Sequence, residues 1–342
     1  ANVNIAFGIA TMFIAVPTGV KVYDWMATMY RGRIRMTTPM VYAVGFLILF
    51  VIGGLTGVIL ANPTIDYQVH NTLFLVAHFH NVLVPGVLFG MLAGYHYWFP
   101  KMFGFRLDEK WGTRAALLWI FGFSFTFFPL YVVGLMGMPR RTVSFDNPAF
   151  EPYMLVALFG AFLILSAIAS LAMQLFVSIK NRQATQVFAG DPWDGRTLEW
   201  SISSPPPEYN FALVPEVDSR DAFTAAKAEE QWPPDIAEFE DIEMPSNTPI
   251  GIMIMVATTG LGFALVFHIW WLALAFLILA VGSVLIRSFQ LDTIRIIPAE
   301  DVEREYQIWL EAVRTAHSVT RDRETSSDNK GAAKNALAGG PA

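Results

Sequence analysis

The chain has 342 residues, 54% of them hydrophobic and only 15% charged, whereas a soluble domain carries about a quarter charged residues. With its positive mean hydropathy, that balance excludes an ordinary soluble enzyme or a nucleic-acid-binding module. The absence of cysteine further excludes thiolate metal centres, thioether-linked haem and disulfides within the chain, whereas the formal charge of −6 says little about partners because it is unevenly placed.

Seven apolar spans are expected, at about 4–30, 40–61, 72–98, 112–137, 152–179, 250–268 and 270–288, which defines an all-α polytopic membrane fold. The first residues, ANVNIAFGIATMF, show no initiator Met, charged leader or cleavage pattern and read as cut from a longer chain. Pro17, Pro85 and Pro129 fall inside spans, where neighbouring helices can re-satisfy the backbone. Gly53, Gly54 and Gly57 suggest close helix packing. The last two spans come from one apolar stretch, divided at the aromatic run HIWW.

Residues 1–180 are expected to form a five-helix membrane core, followed by an acidic, Pro-rich loop over 181–249, a helical hairpin over 250–288 and a polar tail over 289–342. Residues 181–247 hold 14 Asp/Glu against 4 Lys/Arg, so the acidity belongs to that loop and the remainder is mildly basic. Within it, SSPPPEYNF cannot be regular helix or central strand. The tail beyond about 317 is Ser, Asp, Asn, Gly and Ala, a composition that predicts disorder.

Lys/Arg bias orients the short loops. Arg31, Arg33 and Arg35 in RGRIR put the first connection in the cytoplasm, the uncharged-by-Lys/Arg loop 62–71 outside, and the basic loop 99–111 back in the cytoplasm. Alternation places 138–151 outside although it carries Arg140 and Arg141, and an anionic partner there would explain the exception. An ordinary topological exception is the plainer account.

His78 and His80 lie within TLFLVAHFHNVLVPGVLFGML, roughly 9–12 Å from the outer end of the third span at 1.5 Å per residue. Two positions turn a helix by about 200°, so the imidazoles point to opposite faces with Phe79 between them. One helix could thus give a nitrogen ligand to two cofactors, haem iron being the usual partner of a neutral imidazole. The alternative is helix–helix hydrogen bonding. Arg140 and Arg141, at the same outer end, suit haem propionates. Lys21 lies roughly 14 Å from the cytoplasmic end, too deep to snorkel, with Thr18 one turn away. That pair reads as a proton relay in a hydrated channel, or else as a buried structural contact. Asp66 and His70, spaced i, i+4, read from spacing alone as surface polarity, and His96 and His268 as neighbours of aromatic belts.

In order along the chain, PTGVKVYDW, GGLTGVILA, DYQVHNTLFLVAHFHN, YHYWFPKMFG, GLMGMPRR and GDPWDGRTLEWSISSPPPEYNF resemble subunit I of the haem–copper terminal oxidases, from residue 1 to about 290. His70-Asn71, where cytochrome c oxidases usually read His-Asp, the GDPWDGRTLEW loop and the C-terminal hairpin are most similar to the cytochrome bo-type ubiquinol branch. The resemblance implies part of a twelve-helix-core fold plus a hairpin, in a bacterial inner membrane. It implies two haems, low-spin b or a and high-spin o or a, with His78 on the high-spin iron, His80 on the low-spin iron and Phe79 between the haems. Arg140, Arg141 and Asp66 would surround the propionates, and Lys21 with Thr18 would belong to the proton-uptake path. Ubiquinol, dioxygen, membrane lipid and subunits II, III and IV would be the partners, and nucleic acid would not. The His-Pro-Glu-Val-Tyr and His-His copper motifs do not occur here, so the chain resembles the C-terminal half of the subunit and by itself is expected to be inactive. Two rivals remain: a cytochrome c oxidase of the same fold, and a haem-free proton-coupled transporter using Lys21, His78 and His80.

Overall fold

The computed structural model describes residues 2–316. By chain contacts it divides into two units, residues 1–194 with 203–205, and residues 195–202 with 206 onward.

The first unit is helical. Helix α1 (Asn2–Phe13) and α2 (Ala15–Met29) form one expected span broken at Ile14, and the break has a local cause. Pro17 has no N–H for the Phe13 carbonyl, and its ring crowds that carbonyl, so the preceding turn opens. Helix α3 (Thr38–Ala61) follows, with Pro39 in its first turn. The short α4 (Pro63–Val69) is capped by Asn62 Oδ1, which accepts from Thr64 N–H at 3.0 Å.

The third span, Leu73–Phe103, is a continuous rod of three parts: α5 (Leu73–Leu83), a π-helical turn (Val84–Phe89) and α6 (Gly90–Phe103). Thr72 Oγ1 starts it by accepting from Phe74 N–H. Pro85 cannot donate to the Asn81 carbonyl, and the wide turn absorbs the mismatch. Asn81 is fully buried, and its freed carbonyl lies against Gly53, where a Cβ would come within 2.9 Å of it. Gly104, at φ 74°, closes α6 in a left-handed turn.

Asp108 Oδ1 caps α7 (Glu109–Leu135) through Trp111 N–H at 2.8 Å. Helix α8 (Glu151–Lys180) packs along α7, and Gly160 allows it, since a Cβ there would lie 2.3 Å from Thr126 N. A core of Val41, Tyr42, Leu49, Phe89, Ala116, Trp119, Phe123 and Ala167 joins α3, the rod, α7 and α8. This unit continues past residue 180: Trp193 stacks on Tyr97 at 5.9 Å and donates to its carbonyl at 2.9 Å.

The second unit contains α9 (Ala222–Ala228), an antiparallel strand pair β1 (Ile242–Pro245) and β2 (Ile294–Ile297), and the apolar hairpin α10 (Ile250–Val266) and α11 (Trp270–Ser288). The hairpin turns at His268, exposed at φ 57° beside Trp270, as the aromatic run suggested. Much of the acidic segment is folded: Trp232 contacts Phe223 and Trp309, the latter on a helix over 299–316. Arg295 pairs with Glu208, and Asp241 accepts from Ala299 N–H. SSPPPEYNF has no regular structure, as proline dictates. The disorder expected beyond 317 lies outside the described residues.

Among the described residues, six helices are long and apolar enough to cross a membrane. The expected sixth span, Ile250–Val266, is shorter at 17 residues. The fold class is a polytopic α-helical membrane protein.

Candidate functional site

The site is built on α5. On one face, His78 reaches α3 (residues 38–61): its Nδ1 lies 3.1 Å from the Gly53 carbonyl and 3.0 Å from Thr56 Oγ1. Thr56 Oγ1 itself donates to Gly53 O at 2.8 Å and lies 3.1 Å from the Tyr131 hydroxyl, which is 3.3 Å from the Asn81 amide. The arrangement satisfying these contacts puts the His78 proton on Nδ1 and its lone pair on Nε2. Gly57 leaves room for the ring, since a Cβ there would stand 2.9 Å from Cε1.

His80 faces another environment. Its Nδ1–H donates to the Val76 carbonyl at 2.8 Å, and its ring stacks on Phe127 of α7 at 4.6 Å and 18°. Phe79 lies 4.5 Å from the same ring. Among the described residues, none hydrogen-bonds to Nε2 of either His78 or His80. Both rings therefore have one nitrogen anchored and the other free to accept a bond, the usual geometry of a metal-binding histidine.

His78 lines a cavity of about 1290 Å³ that His80 does not line. Its walls are largely apolar and come from α1, α2, α3 and the α4–α5 region, with Phe7, Phe50, Leu55 and Tyr23 among them. Asp66 and His70 also line it, and they pair with each other at 3.4 Å. Both side chains are partly exposed, His70 more than Asp66, so the pair lies at the surface and also borders the His78 cavity. Gly54 lines the cavity too, with nothing within 4 Å of its Cβ position, so of the three glycines only Gly53 and Gly57 serve close packing.

The pair Arg140 and Arg141 is held at the start of α5. Leu73 N–H donates to Met138 O at 3.0 Å and Arg140 N–H to Asn71 O at 2.9 Å, with a bridge between Thr72 and Pro139. Gly134 permits this approach, because a Cβ there would lie 2.1 Å from Phe74 N. Neither guanidinium has a carboxylate partner among the described residues. Thr18 lines the cavity, and its Oγ1 donates to Ile14 O. Lys21 is exposed and outside the lining, with its ammonium 5.7 Å from the Trp25 ring.

His96 lies among aromatic rings, as its sequence neighbours suggest. Besides its aromatic neighbours Tyr42 and Tyr95 it has a further partner: it is buried, 3% exposed, and hydrogen-bonded to Gln174 on α8. Nothing in the local sequence signals Gln174, 78 residues away. Among the described residues, no three His, Asp or Glu side chains gather to hold a metal ion.

Six apolar spans, one of them carrying two imidazoles that face different neighbouring helices, define a polytopic α-helical membrane protein. Residues 1–163 match the family model for cytochrome c and quinol oxidase polypeptide I. The chain is 50% identical over 307 residues to ubiquinol oxidase subunit 1 of Acetobacter aceti, with 89% of this chain and 46% of that protein covered. It is 49% identical over 321 residues to the probable cytochrome c oxidase subunit 1 of Bradyrhizobium diazoefficiens, covering 93% and 48%. With cytochrome bo(3) ubiquinol oxidase subunit 1 of Buchnera aphidicola it shares 47% over 312 residues, covering 90% and 47%. Over residues 1–163 the chain is similar to the cytochrome c and quinol oxidase polypeptide I family, and it is an integral protein of a bacterial inner membrane. It spans about half the length of the curated relatives it matches.

Proposed function

We propose that this chain is part of subunit I of a respiratory ubiquinol oxidase, which passes electrons from ubiquinol to dioxygen and pumps protons. The observation that carries the proposal is the pair of anchored imidazoles: His78 lines a cavity with a polar end, and His80 stands outside it against Phe127.

The residues fit two haems. A porphyrin is a broad apolar disc with two carboxylates, and the His78 cavity is apolar along its walls and polar near Asp66 and His70. His78 would hold the high-spin haem through Nε2, with Gly53 and Thr56 fixing the ring's tautomer and angle. His80 would hold the low-spin haem, with Val76 O and Phe127 in the same supporting role. Haem iron supplies one-electron transfer and, in concert with copper, the reduction of oxygen.

Arg140 and Arg141 would bind propionates through charge-assisted hydrogen bonds, since the loop carrying them is bonded to the start of the histidine helix. Asp66 would share that region, and Phe79 would fill the space between the haems. Thr18 on the cavity wall and Lys21 one turn on would carry protons toward the same site. Each charge moved across the bilayer against 100 mV stores about 2.3 kcal/mol, which is how the reaction would conserve energy. Among the described residues no cluster of side chains fits a copper ion, so its ligands would come from outside them. Ubiquinol, dioxygen and subunits II, III and IV are the implied partners.

A second reading keeps the site and changes the donor to cytochrome c, favoured by the 49% identity to a protein named as a cytochrome c oxidase. The test is an absorption spectrum of the full-length protein and its variants. His80→Ala should remove the low-spin haem signal, and His78→Ala should abolish carbon monoxide binding. A protein without a Soret band, or variants with unchanged spectra, would sink the haem assignment.

A further inference from the structure

We propose that His96 is a proton-binding site whose occupancy sets whether Gln174 ties α8 to the start of α7. The inference concerns a buried joint that the haem site does not use, and it does not rest on the oxidase reading.

His96 and Gln174 are 3% and 1% exposed. The His96 Nδ1 lies 2.6 Å from the Leu92 carbonyl of its own helix, and Nε2 lies 2.9 Å from Gln174 Oε1. The amide's orientation is set by its other end, because Gln174 Nε2 donates to the Asp108 carbonyl at 3.0 Å. Turning it over would point oxygen at oxygen. Both imidazole nitrogens therefore face oxygens that can only accept, and two N–H donors are needed to satisfy them. A neutral imidazole has one.

The surroundings suit a cation. The Tyr42 and Tyr95 rings lie 5.4 and 5.1 Å from the imidazole, within the range at which an aromatic ring attracts positive charge. The groups that act on His96 are Tyr42 from α3, Tyr95 from α6 itself, the neutral Gln174 from α8 and the carboxylate of Glu109 at the start of α7. Glu109 is exposed and accepts from Thr38 N–H. Burial by itself favours the uncharged ring, so the proton is held by these contacts and by nothing else.

Losing it has a structural consequence. A neutral ring bonded to Leu92 turns a lone pair toward Gln174, whose amide must then rotate to donate. That rotation breaks the bond to Asp108, the residue that caps α7 and whose N–H is bound to Ser178 of α8 at 2.8 Å. Two proton states thus select two arrangements of one joint.

The experiment is nitrogen NMR of the full-length, histidine-labelled protein in membranes, from about pH 5 to about pH 9, with the His96 signal assigned by its loss in His96→Gln. The expected result is a doubly protonated ring at the acid end. Gln174→Leu should give a neutral ring throughout. Gln174→Glu, which accepts but cannot reach Asp108 as a donor, should hold the second proton to a pH at least one unit higher, a tenfold shift in proton affinity. A ring neutral over the whole range, or titrating alike with and without Gln174, overturns the proposal. Should Gln174→Leu fail to fold, the shift in Gln174→Glu decides. The haem spectrum is a separate readout: its absence from every protein would sink the oxidase reading and leave this one standing.

Discussion

His78 and His96 lie 18 residues apart on one continuous helical rod, yet their imidazoles are held differently. His78 has one nitrogen tied to α3 and lines the cavity, whereas His96 has both nitrogens tied and does not line it. Under the two proposals, the first arrangement would leave a lone pair for iron and the second a place for a proton. Residue type and helix are shared, so the chemistry is decided by the number of acceptors each ring meets.

The largest test of this contrast exchanges the two positions. His78→Ala or His80→Ala should cost at least about 100-fold in oxidase turnover by the full-length enzyme, beyond the usual penalty for losing a residue that merely supports a metal ligand. His96→Gln should keep the haem spectrum intact, and a lost spectrum there would erase the distinction. Next is Gly134→Val, which places a side chain against the Phe74 backbone and should destabilise the α5–α7 contact by about 3 kcal/mol, read as lower haem retention on heating.

Gly57→Ala discriminates more finely, because the atoms nearest its Cβ all belong to the His78 ring. We expect a loss of about 1–2 kcal/mol in stability and a perturbed carbon monoxide complex, with the low-spin signal unchanged. Thr56→Val should do less, since the Gly53 carbonyl still accepts from Nδ1: at most a tenfold weakening of haem binding, measured by haem loss to an acceptor.

The smallest expected effect lies in the second unit, away from both histidines. Burial, and then the charge of Asp235, push the Tyr306 hydroxyl up to about 12. An unfolded tyrosine ionises near pH 10, so above that pH the unfolded chain gives up its proton first. Stability of this unit should fall as the pH rises above about 10, and Tyr306→Phe should lessen the decline in an alkaline fluorescence titration, with the rest owed to Tyr209, which burial and Glu305 also push up.

Much of the fold was legible because a bilayer imposes a composition. Apolar runs of about 20 residues, the proline positions and the HIWW break are local features, and each leaves a local mark. The opposing placement of His78 and His80 follows from helix geometry alone. The full surroundings of His96 and Asp66 were not legible, because their partners are remote or oriented by a turn. Gln174 is 78 residues from His96, and Asp66 reaches the cavity only through the direction α4 takes after Asn62. The acidic segment was read as loop from charge and proline, yet Phe223, Trp232 and Trp309 build a small core that spacing could not reveal.

By itself the amino-acid order determined that the chain lies in a membrane as helices and that one of them turns two imidazoles to opposite sides, because hydrophobic length and a 100° rotation per residue are properties of a single segment. Tertiary structure alone decided which imidazole borders the cavity, which glycines touch it and which histidine is enclosed by acceptors. Those outcomes depend on side chains brought together from separate helices, and no single helix encodes its neighbours.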